Sequence, residues 1–449
     1  MTLSKDTRIK LEKFHRDKRA WRSFLTLIAL FLITLPAEWV CNVRPLLLVV
    51  DGRPYFPVLF TYSETDFGGR LPSEPDYKSP LFWRLLEGAP PATKAVASTP
   101  APDGETGFSL GLEDFEDGGT DGAPPAAEPG FSLGLDDFED GPPAAEQKFV
   151  LELEDFEEDG PLVEPAPQAM PGEKPTGPRD VWVLWPPVRY DYKYIPTHSE
   201  TGRIVLAAPY KRLAPDGESH LASSLRDGHY LGTDDRGRDV LARLVYGFRI
   251  SMIFGISLAV TGTLLGCLIG GTQGFFGGWI DLFGQRLTEI WGSMPRLYIL
   301  IILSAFLTPS ALLLFLILNL TAWMGIAAYI RAEFLKIRNL EFVKAARAMG
   351  VSNFSIMWRH ILPNALTPVI TFFPFEVTAG ILSLVSLDYL NLGVPSPAPS
   401  IGELLAQGKN NLQALWILLP TFALLTGALT LLTFVGEGIR NAFDPRRAA

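Results

Sequence analysis

Two long stretches of this chain carry no charged side chain, Ile250 to Ile280 and Leu297 to Ile330. A bilayer core of roughly 30 Å asks for about 20 consecutive apolar residues in a helix, so a wholly soluble fold is excluded. The second stretch spans 34 residues, about 51 Å as a helix at 1.5 Å per residue, which is too long for one crossing. Thr308-Pro309-Ser310 divides it, and the pattern then predicts a third span beginning near Leu282 and a fourth ending near Ile330. Arg249 to Phe276 forms the second span, with the glycines that close helix packing favours. Thr367 to Tyr389 and Ala414 to Val435 supply two more. At the N-terminus, eight Lys/Arg precede an apolar run from Phe24. Without a small-x-small cleavage site, residues 21–41 read as an uncleaved signal anchor, the first of six spans.

Basic residues orient the spans. Residues 1–20 form a basic tail, placed in the cytoplasm. Residues 331–366 hold six Lys/Arg against two acids and fall on the same side, as do Arg440, Arg446 and Arg447. Residues 391–413 hold a single Lys and fall outside, as does the long segment 42–230. The expected fold is therefore an all-α polytopic membrane protein with N- and C-termini in the cytoplasm, an amphipathic pre-span segment at 231–248 and a membrane core over 249–447.

The segment 42–230 has no span-length apolar run. Residues 43–85 and 180–230 mix β-formers with Pro and Gly, as around Val49-Val50-Asp51-Gly52-Arg53 and Val181-Trp182-Val183-Leu184, and predict short strands and turns of one small β-rich extracytoplasmic domain. Residues 88–178 interrupt it. Gly107 to Gly118 recurs almost unchanged at Gly130 to Gly141, with a diverged copy at Phe149 to Gly160. Acidic-hydrophobic alternation between Pro/Ala spacers buries too little apolar surface to offset chain entropy, so disorder is expected. The copies read either as docking motifs or a lure for cationic ligands, or as an expanded linker. They lack the Asp-x-Asp-x-Asp-Gly spacing of a calcium loop.

Charge sharpens this division. The formal net charge is −10, yet residues 101–160 hold 19 acids and one base, leaving 38 bases against 30 acids elsewhere. Two cysteines, Cys41 and Cys267, make no disulfide framework. His198, His220 and His229 have no metal-ligand spacing, so no metal site is expected.

The segment between the fourth and fifth spans carries the most specific pattern. Phe342, Ala345, Ala346 and Met349 are spaced i, i+3, i+4, i+7, one face of a helix. Gly350 suits the position after its C-cap. Ser352 suits the N-cap of a second short helix, in which Phe354, Met357, Trp358 and Ile361 repeat the spacing and which Pro363 is expected to stop. A DNA-reading helix-turn-helix is disfavoured by the tether between two spans, and no nucleic-acid partner is expected. Of the intramembrane acids, Glu289 is expected to pair with Arg286 or Arg296. Glu376 is a candidate for the translocation path, or for a protonated partner of carbonyls freed by Pro363, Pro368 and Pro374. Asp388 falls at the outer boundary.

Glu341-Phe342-Val343-Lys344-Ala345-Ala346-Arg347-Ala348-Met349-Gly350 with His360-Ile361-Leu362-Pro363-Asn364 resembles the EAA loop of ABC-importer permeases, here at 336–366. Leu231-Gly232-Thr233-Asp234-Asp235-Arg236-Gly237-Arg238-Asp239, Gly277-Gly278-Trp279-Ile280-Asp281, Leu387 to Gly393 and Asp444-Pro445-Arg446 resemble the dipeptide/oligopeptide branch. Asp51 to Pro57, Ser63 to Gly69 and Gly402 to Asn411 narrow the resemblance to microcin C-type peptide importer permeases. Lys344 stands where that pattern carries an acid.

The resemblance implies one half of a heterodimeric, ATP-driven peptide importer working by alternating access. Its partners would be a second permease subunit, ATP-binding subunits, a periplasmic peptide-binding protein, the peptide substrate and the lipid bilayer of a bacterial inner membrane. ATPase coupling would fall to Ala345, Ala346, Gly350, Phe354, Met357, Trp358, Ile361 and Pro363. The chain has no Gly-x-x-x-x-Gly-Lys-Ser/Thr phosphate loop, so it is expected to bind no cofactor and to be no enzyme, with ATP hydrolysed by its partners. The alternative, a membrane-anchored scaffold or adhesion protein displaying the acidic repeat, leaves the six-span body and the paired helices unexplained.

Overall fold

The computed structural model describes residues 5–69, 71–87, 180–196, 204–213, 220–306 and 310–443. The chain divides into two compact units, one built from Met1–Pro91 with Gly177–Ala449 and one from Ala92–Thr176. The second unit, and with it the acidic repeat, lies outside the described residues, as do Thr308-Pro309, His198 and Asp444-Pro445-Arg446.

Helices α1 (Lys5–Arg16) and α2 (Lys18–Thr34) open the chain, with Asp17 between them accepting hydrogen bonds from the backbone N–H groups of Arg19 (3.1 Å) and Ala20 (3.2 Å). That side-chain cap satisfies donors that the first turn leaves without helical partners. Pro36 separates α2 from a single turn, α3 (Ala37–Val40).

Strands β1 (Leu47–Val50) and β2 (Arg53–Tyr55) form an antiparallel hairpin. Its turn residues, Asp51 (φ 51°) and Gly52 (φ 75°), both adopt the left-handed backbone that a two-residue hairpin with strand-matching twist requires. Helix α4 (Pro80–Leu86) follows, capped by Ser79. Strand β3 (Val181–Leu184) then pairs antiparallel with β1, placing Val50 opposite Val181 and closing a three-stranded sheet in the order β2-β1-β3. Sequence-distant segments on either side of residues 88–178 thus share one sheet. Leu48 and Val50 turn their side chains into a core with Phe67, Tyr77, Phe82 and Leu86, where Phe67 meets Phe82 edge-on at 5.4 Å. A second pair, β4 (Arg212–Leu213) and β5 (His220–Leu221), is antiparallel.

The membrane-type helices are α5 (Val240–Phe276), α6 (Gly278–Gly292), α7 (Arg296–Phe306), α8 (Ala311–Ile337), α9 (Glu341–Ala348), α10 (Asn353–Ser355), α11 (Leu362–Tyr389), α12 (Ile401–Asn410) and α13 (Leu415–Phe443). Among the described residues, four helical stretches are long and apolar enough to cross a membrane: Val240–Phe276, Ala311–Ile337, Asn353–Tyr389 and Leu415–Phe443. The third span expected from Leu282 is broken instead. Pro295, which lacks a backbone donor and cannot continue a helix interior, separates α6 from α7. Helix α2, at 17 residues, is about 26 Å long and somewhat short of a full crossing.

Helix α5 begins nine residues earlier than the charge pattern suggested, because Asp239 caps it by accepting from the Ala242 N–H at 2.7 Å. The charged residues Arg243 and Arg249 are absorbed into its first turns. Along α5, Gly262, Gly266, Gly270 and Gly274 recur at every fourth position and face α8, where an added Cβ would run into Ala322, Ile326, Ala327 and Arg331 in turn. This small-residue stripe brings the two backbones together and gains dispersion contacts along their length. Gly255 of α5 and Gly380 of α11 touch in the same way. At the C-terminus of α5, Arg338 donates to the free carbonyls of Gly274 (3.1 Å) and Phe275 (3.3 Å). Ala20 of α2 packs on Gly438 of α13, with Phe14, Val435 and Ala442 in the same cluster.

Candidate functional site

The segment joining α8 to α11 is built in three steps. Helix α9 closes with Gly350 in left-handed geometry (φ 78°), where the Gly350 N–H donates to the Arg347 carbonyl (3.0 Å) and the Val351 N–H to the Ala346 carbonyl (3.1 Å). This is the paired bonding of a Schellman termination, which leaves no helix-end carbonyl of that turn unused. Ser352 then caps α10, its Oγ accepting from the Ser355 N–H at 3.3 Å.

Pro363 does not end the helix that follows. Residues Ile356–Ile361 form a π-helical turn that runs directly into α11, and Pro363 sits in that helix's first turn. The Leu362 N–H reaches back five residues to the Met357 carbonyl. A π-turn displaces the carbonyls that a proline ring would otherwise strike, so the missing donor falls where the regular ladder is already interrupted.

Burial divides the coupling candidates. Val343, Ala346, Ile356, Met357 and Ile361 are buried in one core with Phe275 of α5 and Ile326, Ile330 and Phe334 of α8. Trp358 packs half-buried against it. Ala345, Gly350 and Pro363 are exposed. Three large apolar side chains stand outside the core: Phe342 (43% exposed), Phe354 (72%) and Met349 (76%). The spacing that grouped Phe342, Ala345, Ala346 and Met349 as one packed face is therefore corrected. Val343 and Ala346 anchor α9, and the other three of that group point away. Likewise Met357 and Ile361 hold the π-turn down while Phe354 leaves it, its ring 6.0 Å from Trp358. Lys344 Nζ lies 3.1 Å from Glu341 Oε1 on the exposed side.

Within the helix bundle, Glu376 of α11 lines a cavity of about 180 Å³ together with Ala259 of α5, Leu318 and Thr321 of α8, and Gly380 and Ser383. Glu289 lies elsewhere, in an exposed pair with Arg286 at 2.5 Å. Pro374 is buried inside α11, and the Thr378 hydroxyl donates to its carbonyl at 2.9 Å.

One cluster escaped the sequence reading. Arg238 and Arg243 are among the largest fully buried side chains, at 2% and 0% exposure. Arg238 Nε donates to Asp234 Oδ2 (2.7 Å), its Nη2 to Glu403 Oε1 (3.0 Å) and its Nη1 to Ser396 Oγ (3.1 Å). Arg243 Nη2 reaches Glu403 Oε2 at 2.5 Å. Two guanidinium groups and two carboxylates thus tie the turn before α5 to the first turn of α12. Asp388, expected to be unremarkable, is buried and accepts from the Ser400 hydroxyl (2.6 Å) and the Val394 N–H (2.9 Å), holding the loop between α11 and α12. Asp234 and Arg238 lie in a segment the sequence singled out, but nothing local signals a partner some 160 positions away.

Comparison with known proteins decides what this assembly belongs to. Residues 262–449, which contain the α9–π-turn segment and Glu376, match the family described as binding-protein-dependent transport system inner membrane component. A relative from Agrobacterium fabrum, "Peptidoglycan transport system permease protein YejE", is 35% identical across 99% of this chain and 94% of its own length. The chain belongs to the ABC-importer permease family.

Two further relatives fit. "Inner membrane ABC transporter permease protein YejE" of Escherichia coli K12 is 33% identical over 99% of both chains. "Oligopeptide transport system permease protein OppC" of the same organism is 36% identical over half of this chain and 75% of its own. The first two extend through residues 1–230, and OppC matches only half. As an ABC-importer permease, the protein is a multi-pass inner-membrane subunit of a transporter, a family that acts with ATP-binding subunits, a partner permease and a substrate-binding protein rather than as an enzyme.

Proposed function

We propose that this permease forms one half of a heterodimeric peptide-import path and is driven by ATPase subunits docked on the segment 341–361. The observation that carries the reading is the exposed trio Phe342, Met349 and Phe354 on a segment otherwise nailed to the core by Val343, Ala346, Ile356 and Ile361. A rigid base with projecting apolar side chains is what a partner's groove can grip, and in water the same side chains are an unsatisfied apolar patch. Substrate class follows from full-length similarity to permeases whose names specify peptidoglycan transport, and half-length similarity to one that specifies oligopeptides.

In this reading α2 and the α6–α7 pair supply the crossings that complete six spans, with both termini in the cytoplasm and the β1–β3 sheet in the periplasm. Glu376 faces the path. ATP binds and is hydrolysed on the partners, and their closure rocks α9 and the π-turn, which transmit motion to α5, α8 and α11 through the shared core. Copurification tests it. The chain, expressed with its neighbouring genes, should retain nucleotide-binding subunits, and Phe354→Asp should release them without loss from the membrane. A chain that never retains such a subunit would sink the proposal.

A further inference from the structure

Away from the helix bundle, a cavity of about 740 Å³ opens between residues 42–77, residues 191–195 and the first turns of α5. That volume lies in the range of small-molecule sites, roughly 300–1,000 Å³. Four tyrosines, Tyr77, Tyr192, Tyr194 and Tyr246, line it.

Its charged groups are mostly committed to one another. Arg44 pairs with Glu74 at 2.6 Å, and Arg249 holds both carboxylate oxygens of Glu38 at 2.9 Å. Asp76 accepts from the Lys78 N–H at 3.0 Å. Two polar atoms on the wall are not committed. Asp191 Oδ1 is buried with no hydrogen-bond partner, and so is the hydroxyl of Tyr77, a residue only 1% exposed. Orphaned buried acceptors and donors are rare in folded proteins, because each forgoes its hydration without compensation. Two on one cavity wall mark a place where a ligand supplies the missing partners.

The chemistry of that ligand follows from the wall. A carboxylate oxygen lacking a donor calls for a cation with N–H groups, and tyrosine faces attract such a cation through their ring quadrupoles. Burial pushes the Asp191 carboxyl above the usual carboxylate range, with Lys193 acting in the opposite direction, as expected of a charge awaiting a counter-ion. The Tyr77 hydroxyl offers a hydrogen bond to a second polar group. We propose that this cavity is a binding site for a small ammonium-bearing ligand, with the ammonium against Asp191 and the tyrosine rings. The free amino terminus of a short peptide and a polyamine share that chemistry. The site needs no ATPase and so stands apart from the coupling reading.

The test is calorimetric titration of the full chain in nanodiscs of neutral lipid with trialanine, N-acetyl-trialanine and spermidine. Trialanine is expected to bind, acetylation to weaken it at least tenfold, and Asp191→Asn to do the same while leaving the melting temperature unchanged. Binding of spermidine without trialanine assigns the site to polyamines and keeps the ammonium chemistry. Absence of binding by every free amine, or affinity indifferent to Asp191→Asn, overturns the proposal. Should Asp191→Asn fail to fold, Lys193→Gln gives the answer from an exposed position. Removing the competing cation should tighten amine binding several-fold, and an unchanged or weakened affinity overturns it.

Discussion

At the residue scale, neighbouring apolar side chains of the coupling segment have opposite jobs. Ile361 is fully buried and Phe354 is 72% exposed, though both occupy the same helical stripe in the sequence. Ile361→Ala should therefore destabilise the bundle by about 2–5 kcal/mol through transfer and cavity costs. Phe354→Asp should leave thermal stability within about 0.5 kcal/mol of the parent, as surface changes do. Melting curves of the two variants distinguish them, and equal losses would contradict the division. The sequence could not make this division, because periodicity gives a stripe and not the neighbour that covers it. Trp358, which the sequence ranked beside Phe354, is half-buried, so its substitution mixes folding with docking.

Lys78 offers a test outside the helix bundle. Its Nζ stands 3.0 Å from the centroid of the Tyr190 ring, and burial lowers its pKa to about 7, the nearby Asp239, Asp76 and Asp227 resisting and Arg189 assisting. Unfolded, the lysine titrates at its ordinary value of roughly 10.4. Between these values the unfolded chain binds more protons, so the contribution of Lys78 to stability rises with pH from about 7 to 10.4. Comparing the pH dependence of the melting temperature for the parent and Lys78→Met isolates it. The parent should gain on the variant across that window, and parallel profiles would remove Lys78 as the cause.

At the element scale, the glycine stripe of α5 was legible as a tendency to close packing, and its partner helix was not. An added side chain at Gly270 would collide with the Ala327 backbone, and backbone cannot step aside as a flexible side chain can. Gly270→Leu should prevent α5 and α8 from closing. Cysteines placed at Leu258 and Leu318, which share one core cluster, should crosslink in the parent and lose that crosslink in the variant.

Helix ends were read unevenly for the same physical reason. Gly350 and Ser352 act within a few residues of themselves, through a left-handed turn and a side-chain cap, so their roles are written locally. Pro363 was misread as a stop because its effect depends on the π-turn preceding it. Pro295, with no such turn, does break its helix between α6 and α7.

At the scale of the whole molecule, family resemblance came from short local motifs, whereas the ties that join them are long-range. Glu403 satisfies two buried arginines from the far end of the chain. Glu403→Gln would leave Arg238 and Arg243 short of a counter-charge, and breaking a buried ion pair from one side costs about 3–5 kcal/mol. A loss of that order is expected in denaturant melts. A change under 0.5 kcal/mol would mean that Asp234 alone neutralises the cluster.

Central to this account is that ATP-driven motion enters the permease through the projecting side chains of α9 and the π-turn. The direct measurement is ATP-dependent peptide uptake into vesicles reconstituted with the chain, its partner permease, the ATPase subunits and the binding protein. It should be made with the parent and with a Met349→Asp, Phe354→Asp double variant inserted to equal level. The account predicts ATP-dependent uptake by the parent and uptake reduced to the ATP-free background in the variant. Undiminished uptake by the variant would contradict it.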